Sequence, residues 1–158
     1  MPAVAMTDHG NMFGAIDFYL AAQKAKIKPI IGVEAYLSVN GSRLDKSPQY
    51  KSTSHLLLLV KDITGYRNLM KLVSAGYLEG FYYHPRIDKE LLSKHAQGLI
   101  CCSACLKGEV AWNLIQGNYN AALKSADDFQ NIFGKGNFYL ELMDHGIETQ
   151  KKVNPAIK

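Results

Sequence analysis

The sequence predicts an α/β fold, an open sheet or β/α barrel with mainly parallel strands, and three observations carry that expectation. Short apolar runs alternate with amphipathic helical stretches along the chain, the order expected of repeated βαβ units. The runs show little polar alternation, as in strands covered on both faces. No Asn-Gly turn joins one run directly to the next, since Asn40-Gly41 opens a long polar stretch instead. Helices are therefore expected to serve as right-handed crossovers between parallel neighbours.

The elements follow in order. Residues 2–7 form a short apolar strand that Asp8-His9-Gly10-Asn11 stops abruptly. A helix is expected from about Met12 to Lys26, with Phe13, Ile16 and Leu20 on one face and Asn11 as N-cap. Pro29 to Leu37 reads as a buried strand. The polar stretch Asn40 to Ser54 is long for a connection inside a compact domain, which suggests a functional lid or mobile segment.

Leu56 to Val60 is the third strand, and Tyr66, Leu69, Met70 and Val73 mark a helix over residues 64–76. A turn-rich aromatic segment, Tyr77 to Ile87, leads to a short helix that Asp88 would cap. Gly98 to Cys102 is the fourth buried strand. Helices over Glu109–Gln116 and Asn118–Phe133, a strand over Phe138–Leu142 and a helix from near Glu148 complete the chain. Asn154-Pro155 is expected to end that last helix early.

Composition sets limits. At 158 residues, 47% hydrophobic and 20% charged, the chain suits one soluble domain. No apolar run approaches the ~20 residues of a membrane span, and Met1 to Asp8 lacks the basic and apolar regions of a signal peptide. A net charge of +4 is compatible with phosphate-bearing partners but below that of a dedicated DNA-binding module. Cys101, Cys102 and Cys105, an odd number with no secretion signal, suit a reducing cytoplasmic setting better than a disulfide framework.

Function in parallel α/β folds collects on loops leaving the C-terminal ends of strands. Polar residues at those points are Asp8 and His9, Glu34, Ser103 and Cys105, and Asp144 and His145. His55 flanks the third strand at its start, the wrong end for that rule. Imidazole, carboxylate and thiolate at one rim would suit zinc or manganese.

Each residue also has a plainer reading. Asp8 could begin a turn, His9 could bond the backbone, and Glu34 could belong to a buried salt bridge. Cys105 could be a small buried apolar side chain, as Cys101 and Cys102 are expected to be within their strand. Cys102 and Cys105 have C-x-x-C spacing without a second pair, so a zinc ribbon is unsupported. Tyr82, Tyr83, His84 and Arg86 could stack on bases or form a packed turn. His95 and Trp112 read as structural.

Taken together, the motifs resemble a known family. Thr7-Asp8-His9-Gly10-Asn11, then Pro29 to Glu34, His55 to Leu59, Gly65-Tyr66-Arg67-Asn68-Leu69 and Gly80 to Asp88 appear in collinear order. Ser103-Ala104-Cys105-Leu106 and Phe138 to Leu142 with Asp144-His145-Gly146 follow. The series is similar to the PHP (polymerase and histidinol phosphatase) domain at the amino end of bacterial DNA polymerase III alpha subunits.

That resemblance implies a distorted, TIM-like β/α barrel with a metal cluster at its rim. It implies action on phosphoesters or, in many replicases, mainly a scaffolding role. The family's metal-binding positions fall on His9, Glu34, His55 and Cys105, and Asp144 and His145 are not carried over as ligands. A His-x-His strand that opens the family pattern and an Asn-Asp-x-His strand that closes it do not occur in these residues.

Residues 1–158 are therefore expected to be a partial PHP domain, an incomplete barrel holding at most one zinc or manganese ion. The expected function is that of a fragment of a replicative DNA polymerase, without activity by itself. The alternative is a residual metal-dependent phosphoesterase or 3′-5′ exonuclease. DNA and the rest of the replicase are the implied partners. Arg43, Lys46, Lys51 and the Tyr82–Arg86 turn offer a weaker nucleic-acid surface, and exposed strand edges invite self-association.

Overall fold

The computed structural model describes residues 1–39 and 41–158; Asn40, where the expected polar stretch begins, lies outside the described residues. Seven strands and six α-helices are described: β1 (Ala3–Met6), α1 (Ala15–Lys24), β2 (Lys28–Ser38), β3 (Thr53–Val60), α2 (Ile63–Leu78), β4 (Phe81–Tyr82) and β5 (His84–Ile87), then α3 (Lys89–His95), β6 (Leu99–Cys102), α4 (Glu109–Ile115), α5 (Tyr119–Phe133), β7 (Phe138–Tyr139) and α6 (Glu148–Ile157). The α/β class is as expected. The strands form one open sheet in the order β4-β5-β2-β3-β6-β7, with β1 also paired to β2.

The expectation of a mainly parallel sheet is corrected. β1 and β5 run parallel to β2, and β7 parallel to β6. The long central pairing of β2 with β3 is antiparallel, as are β3 with β6 and β4 with β5. The reason lies in the segment between β2 and β3, whose described residues contain only a 3₁₀ turn, Pro48–Tyr50. Without a crossover helix the chain returns antiparallel beside the strand it has just left.

That same segment is no free lid. Asp88 accepts from the Arg43 amide at 2.9 Å, and the Arg86 guanidinium donates to the Arg43 and Asp45 carbonyls at 2.9 and 2.7 Å.

Alternation along the central strands separates two faces. Val33, Ala35 and Leu37 of β2, with Leu56 and Leu58 of β3, point into a core completed by Leu69 and Leu72 of α2, Leu92 of α3 and Phe129 of α5. The opposite face carries Glu34, Tyr36 and Ser38 in succession, with His55 directly across from Tyr36. One face is apolar and packed by helices; the other holds the polar side chains.

One helix start follows the expectation from sequence, at Asp88, and one departs from it, at Asn11; Asp62 adds a cap that the sequence reading does not name. Asp62 accepts from the Gly65 amide and Asp88 from the Leu91 amide, each at 2.9 Å, so both cap their helices. Asn11 is no N-cap. Its carboxamide accepts from the Phe13 amide and donates to the His9 carbonyl, closing a local turn before Gly14 opens α1.

The expected apolar face of α1 also faces outward: Phe13, Ile16 and Leu20 are 81%, 63% and 56% exposed, while Ala15 and Ala22 are buried. In α2 the buried line runs through Gly65, Leu69, Leu72 and Gly76, leaving Met70 exposed. β7 is shorter than expected, and α6 continues through Pro155 to Ile157. Pro155 falls in the last turn of α6, where a missing amide interrupts little of the helix.

Candidate metal centre

Backbone pairing sets the site before any side chain does. Beyond β1 the chain keeps pace with β2: the Glu34 amide donates to the Asp8 carbonyl, and the Gly10 amide to the Glu34 carbonyl, both at 3.0 Å. His9 and Glu34 therefore stand side by side as a parallel bridge. Gly10 makes the turn possible, because its φ is +68° and a Cβ would lie 2.8 Å from the Pro85 ring.

Tyr36 pairs with His55 across the β2–β3 ladder, and Glu34 stands two residues before Tyr36 on the same face. Because β3 is antiparallel, its first residues lie at the same rim as the last residues of β2. This explains the position of His55, which a parallel strand would have left at the far end.

The side chains converge. His55 Nδ1 is 2.7 Å from Glu34 Oε1, and His9 Nε2 is 3.5 Å from Glu34 Oε2. One donor atom from each of the three lies within 4.8 Å of the others. Cys105 follows a tight turn after β6 in which Ala104 has a φ of +61°. Its Sγ lies 3.5 Å from His55 Nδ1 and 3.7 Å from Glu34 Oε1. Three of the four sequence-derived candidates thus form one group, and Cys105 adjoins it on the side of Glu34 and His55.

Electrostatics follow from that packing. Burial lowers the His55 pKa, and the charges of His9 and Lys107 add to it, outweighing the nearby Glu34 carboxylate. The imidazole is held neutral, the form that offers a lone pair to a cation. Burial raises the Cys105 thiol, and the Lys107 amide, which donates to Sγ at 3.4 Å, only partly offsets this. A cation among these groups would reverse that preference, since a coordinating thiol is deprotonated. Two imidazoles, a carboxylate and a thiol are a donor set that fits zinc.

Glu141 is a residue that sequence reasoning passed over. Burial raises its carboxyl pKa, the Glu34 charge adds to this, and the Ala104 amide opposes both. Its Oε2 is buried without a hydrogen-bond partner among the described residues. The signal was available: a carboxylate in an apolar run, the same feature that singled out Glu34.

Other candidates go elsewhere. Asp144 accepts from the Gly146 amide, and His145 is held by Gln150 at the start of α6. The Ser103 hydroxyl accepts from the Glu141 amide. Burial raises Cys101 and pushes Cys102 up to about 11, in keeping with structural thiols.

The basic surface does not assemble as expected. Arg43 is ion-paired with Glu79 and Asp88, and Arg86 is fully buried. His84 instead stacks on Tyr36, with ring centroids 4.3 Å apart. Both rings line a cavity of about 950 Å³ that also takes in His9, His55, Lys107 and Trp112. Trp112, read as structural from sequence, is 53% exposed at its wall.

A β/α sheet with histidine and glutamate donors at one rim is the arrangement to which the family comparison also leads. Residues 1–145 match the family model of the PHP domain, and the chain belongs to that family. Among curated proteins it is similar to DNA polymerase III subunit alpha of Borreliella burgdorferi, with 50% identity over 158 residues, covering 99% of this chain and 14% of that protein. The same subunit of Treponema pallidum is 46% identical, covering 98% of this chain and 13% of that protein. That of Thermus aquaticus is 48% identical, covering 99% and 13%. The chain thus spans about one seventh of the length of the relatives it matches. Among the described residues, no helix is long and apolar enough to cross a membrane.

Proposed function

We propose that these residues are part of the PHP module of a bacterial DNA polymerase III alpha subunit, acting in the cytoplasm with DNA and the remaining replicase as partners. In this reading His9, Glu34, His55 and Cys105 hold one zinc or manganese ion, and the module serves the polymerase as structure, without turnover by itself. The observation that carries it is the Glu34 carboxylate, which reaches His55 at 2.7 Å and His9 at 3.5 Å with Cys105 alongside. A half-buried carboxylate beside His55, whose pKa burial lowers, is costly, and a shared cation offsets that cost.

The protein's own groups have distinct roles. Glu34 supplies the negative charge, and the parallel bridge to His9 fixes the spacing of the first two donors. The hydrogen bond from the His55 amide to the Lys107 carbonyl, 3.0 Å, ties His55 to the loop that carries Cys105. A bound divalent ion would supply a Lewis acid for water or phosphate oxygens. Zinc measured by elemental analysis on purified protein and on His9→Ala tests the reading. Stoichiometric metal lost in the variant is expected; equal, sub-stoichiometric metal in both would refute it.

A second reading is a residual phosphoesterase or 3′-5′ exonuclease. The cavity that opens beside His9 and His55, with Lys107 in its wall, favours it. Release of phosphate or nucleotides, abolished by a chelator, would select this reading. No turnover above blank in zinc or manganese would select the structural one. In either case the open edges of β1 and β7 are proposed to favour self-association.

A further inference from the structure

We infer that Tyr36 is a positioning residue of the metal centre, its ring fixing the planes of the His9 and His55 imidazoles so that both present their donors to one point. This deepens the metal-site reading and rests on it for the identity of the donors.

Contacts with Glu34 alone leave those planes undetermined. Glu34 meets one nitrogen of His55 at 2.7 Å and one of His9 at 3.5 Å. A contact at a single ring atom fixes the place of that atom but lets the ring swing about it, and the lone pair turns with the ring. The His9 side chain is also half-exposed, so little packing restrains it from outside. Donors held to within about 10–20° need neighbours that lock their rotamers.

Tyr36 touches both rings. It stands directly across from His55 of β3, two residues beyond Glu34 on the same face. Its ring meets the His55 imidazole edge to face, with centroids 5.4 Å apart and planes at 83°, and lies 5.9 Å from the His9 imidazole at 39°. The two imidazoles meet each other at 5.1 Å and 73°. Three rings in mutual contact restrain one another's rotation, and edge-to-face contact is the arrangement that ring quadrupoles favour.

The Tyr36 ring is itself held. His84 stacks on it at 4.3 Å and 18°. The ring also packs over the turn that follows His9, where a Cβ on Gly10 would stand 3.1 Å from Tyr36 Cδ2 and Cε2. At this point β2 is paired on both sides, with His55 of β3 and Arg86 of β5. A ring set on the central strand thus passes the rigidity of three strands to the donors.

Tyr36→Phe, Tyr36→Leu and His84→Ala test the role. Zinc affinity is measured by competition with a chromophoric chelator, and the visible spectrum of bound cobalt(II) reports the geometry of the site. Tyr36→Phe should match wild type in both, because the ring makes the contacts. Tyr36→Leu should bind zinc about tenfold more weakly, the lower end for loss of a supporting partner. Its cobalt spectrum per bound ion should also change, whereas a merely structural loss would lower the folded fraction and leave that spectrum as it is. His84→Ala, at an exposed position, should change the spectrum in the same direction and carries the test if Tyr36→Leu does not fold.

A second measurement needs no metal. Facing the Glu34 carboxylate, His55 Nδ1 carries the proton of the neutral ring. Imidazole nitrogen NMR of the metal-free protein should show that single tautomer in wild type and Tyr36→Phe, and a mixture in Tyr36→Leu and His84→Ala. Metal uptake with unchanged cobalt spectra and an unchanged tautomer in the last two variants would overturn this inference alone. The tautomer contrast without metal uptake would overturn the metal reading and support the positioning role. Absence of both would overturn both.

Discussion

His55 and Glu34 come from antiparallel neighbours, two residues apart in register, and meet at 2.7 Å between Nδ1 and Oε1. The pairing makes each residue's chemistry depend on the other. Glu34 orients the imidazole, while burial keeps that imidazole neutral. Removing one partner leaves the other buried or misdirected, and that gives the first prediction.

Glu34→Gln keeps the size of the side chain and removes its charge. Zinc affinity should fall by more than the roughly 10–100-fold that loss of an outer-shell partner costs. Cys105→Ser should weaken zinc more than manganese, since thiolate favours the softer ion. Calorimetric titration with each metal measures both. Equal loss for the two metals in Cys105→Ser would place Cys105 outside the donor set.

Asp88 gives a prediction about stability and pH. Burial alone would raise its carboxyl, but the Arg43 and Leu91 amides and the Arg43 guanidinium outweigh it, and the net pKa is lowered. A lowered carboxylate stabilises the fold fully above its unfolded value, about 4, and loses that contribution as pH falls through the lower folded value. Asp88→Ala removes a cap and an ion pair, at a cost of about 2–4 kcal/mol near pH 7. Urea unfolding of wild type and variant should therefore converge below about pH 4. A gap that stays constant down to pH 3 would show that the charge contributes nothing.

Much of this was legible in the sequence, for identifiable reasons. Apolar runs located β2, β3 and β6, and Asp88 takes up the capping position that short polar side chains favour. His9 and Glu34 stood out because polar groups at strand ends are unusual in such runs. Strand direction was not legible. The residues between β2 and β3 carry no helical pattern, yet alternation elsewhere suggested parallel crossovers throughout, and so His55 was placed at the wrong rim. The outward face of α1 was also hidden, because the periodicity of Phe13, Ile16 and Leu20 is the same whether that face meets a core or solvent. Trp112 and Glu141 depend on tertiary neighbours that no local window contains.

Close backbone contact between Gly65 and Gly98 gives a third prediction. A Cβ on Gly65 would lie 1.8 Å from the Gly98 carbonyl oxygen, and Gly98 itself has a φ of +77°. Neither backbone can yield without moving α2 away from β6. Gly65→Ala should cost about 3 kcal/mol, the upper end of overpacking effects. Gly117→Ala, where no atom lies within 4 Å, is the control for a positive φ alone, at about 1 kcal/mol. Thermal or urea denaturation compares them, and equal losses would remove the steric explanation.

The outer surface gives the last prediction. β1 pairs only with β2 and β7 only with β6 among the described strands, so each has an edge free to accept another strand. Nearby, Phe13, Ile16 and Leu20 of the α1 segment expose an apolar row. Either feature could join copies of the chain, by ladder hydrogen bonds in the first case and apolar burial in the second. Association should be visible at micromolar concentration in sedimentation velocity. Ala5→Lys, on the exposed side of β1, places a charge where edge strands commonly carry one and should shift the population towards monomer. Leu20→Lys should leave the edge intact and the association unchanged. The reverse pattern, with only Leu20→Lys dissociating the chain, would assign the contact to the α1 face, because β-edge pairing does not require that side chain.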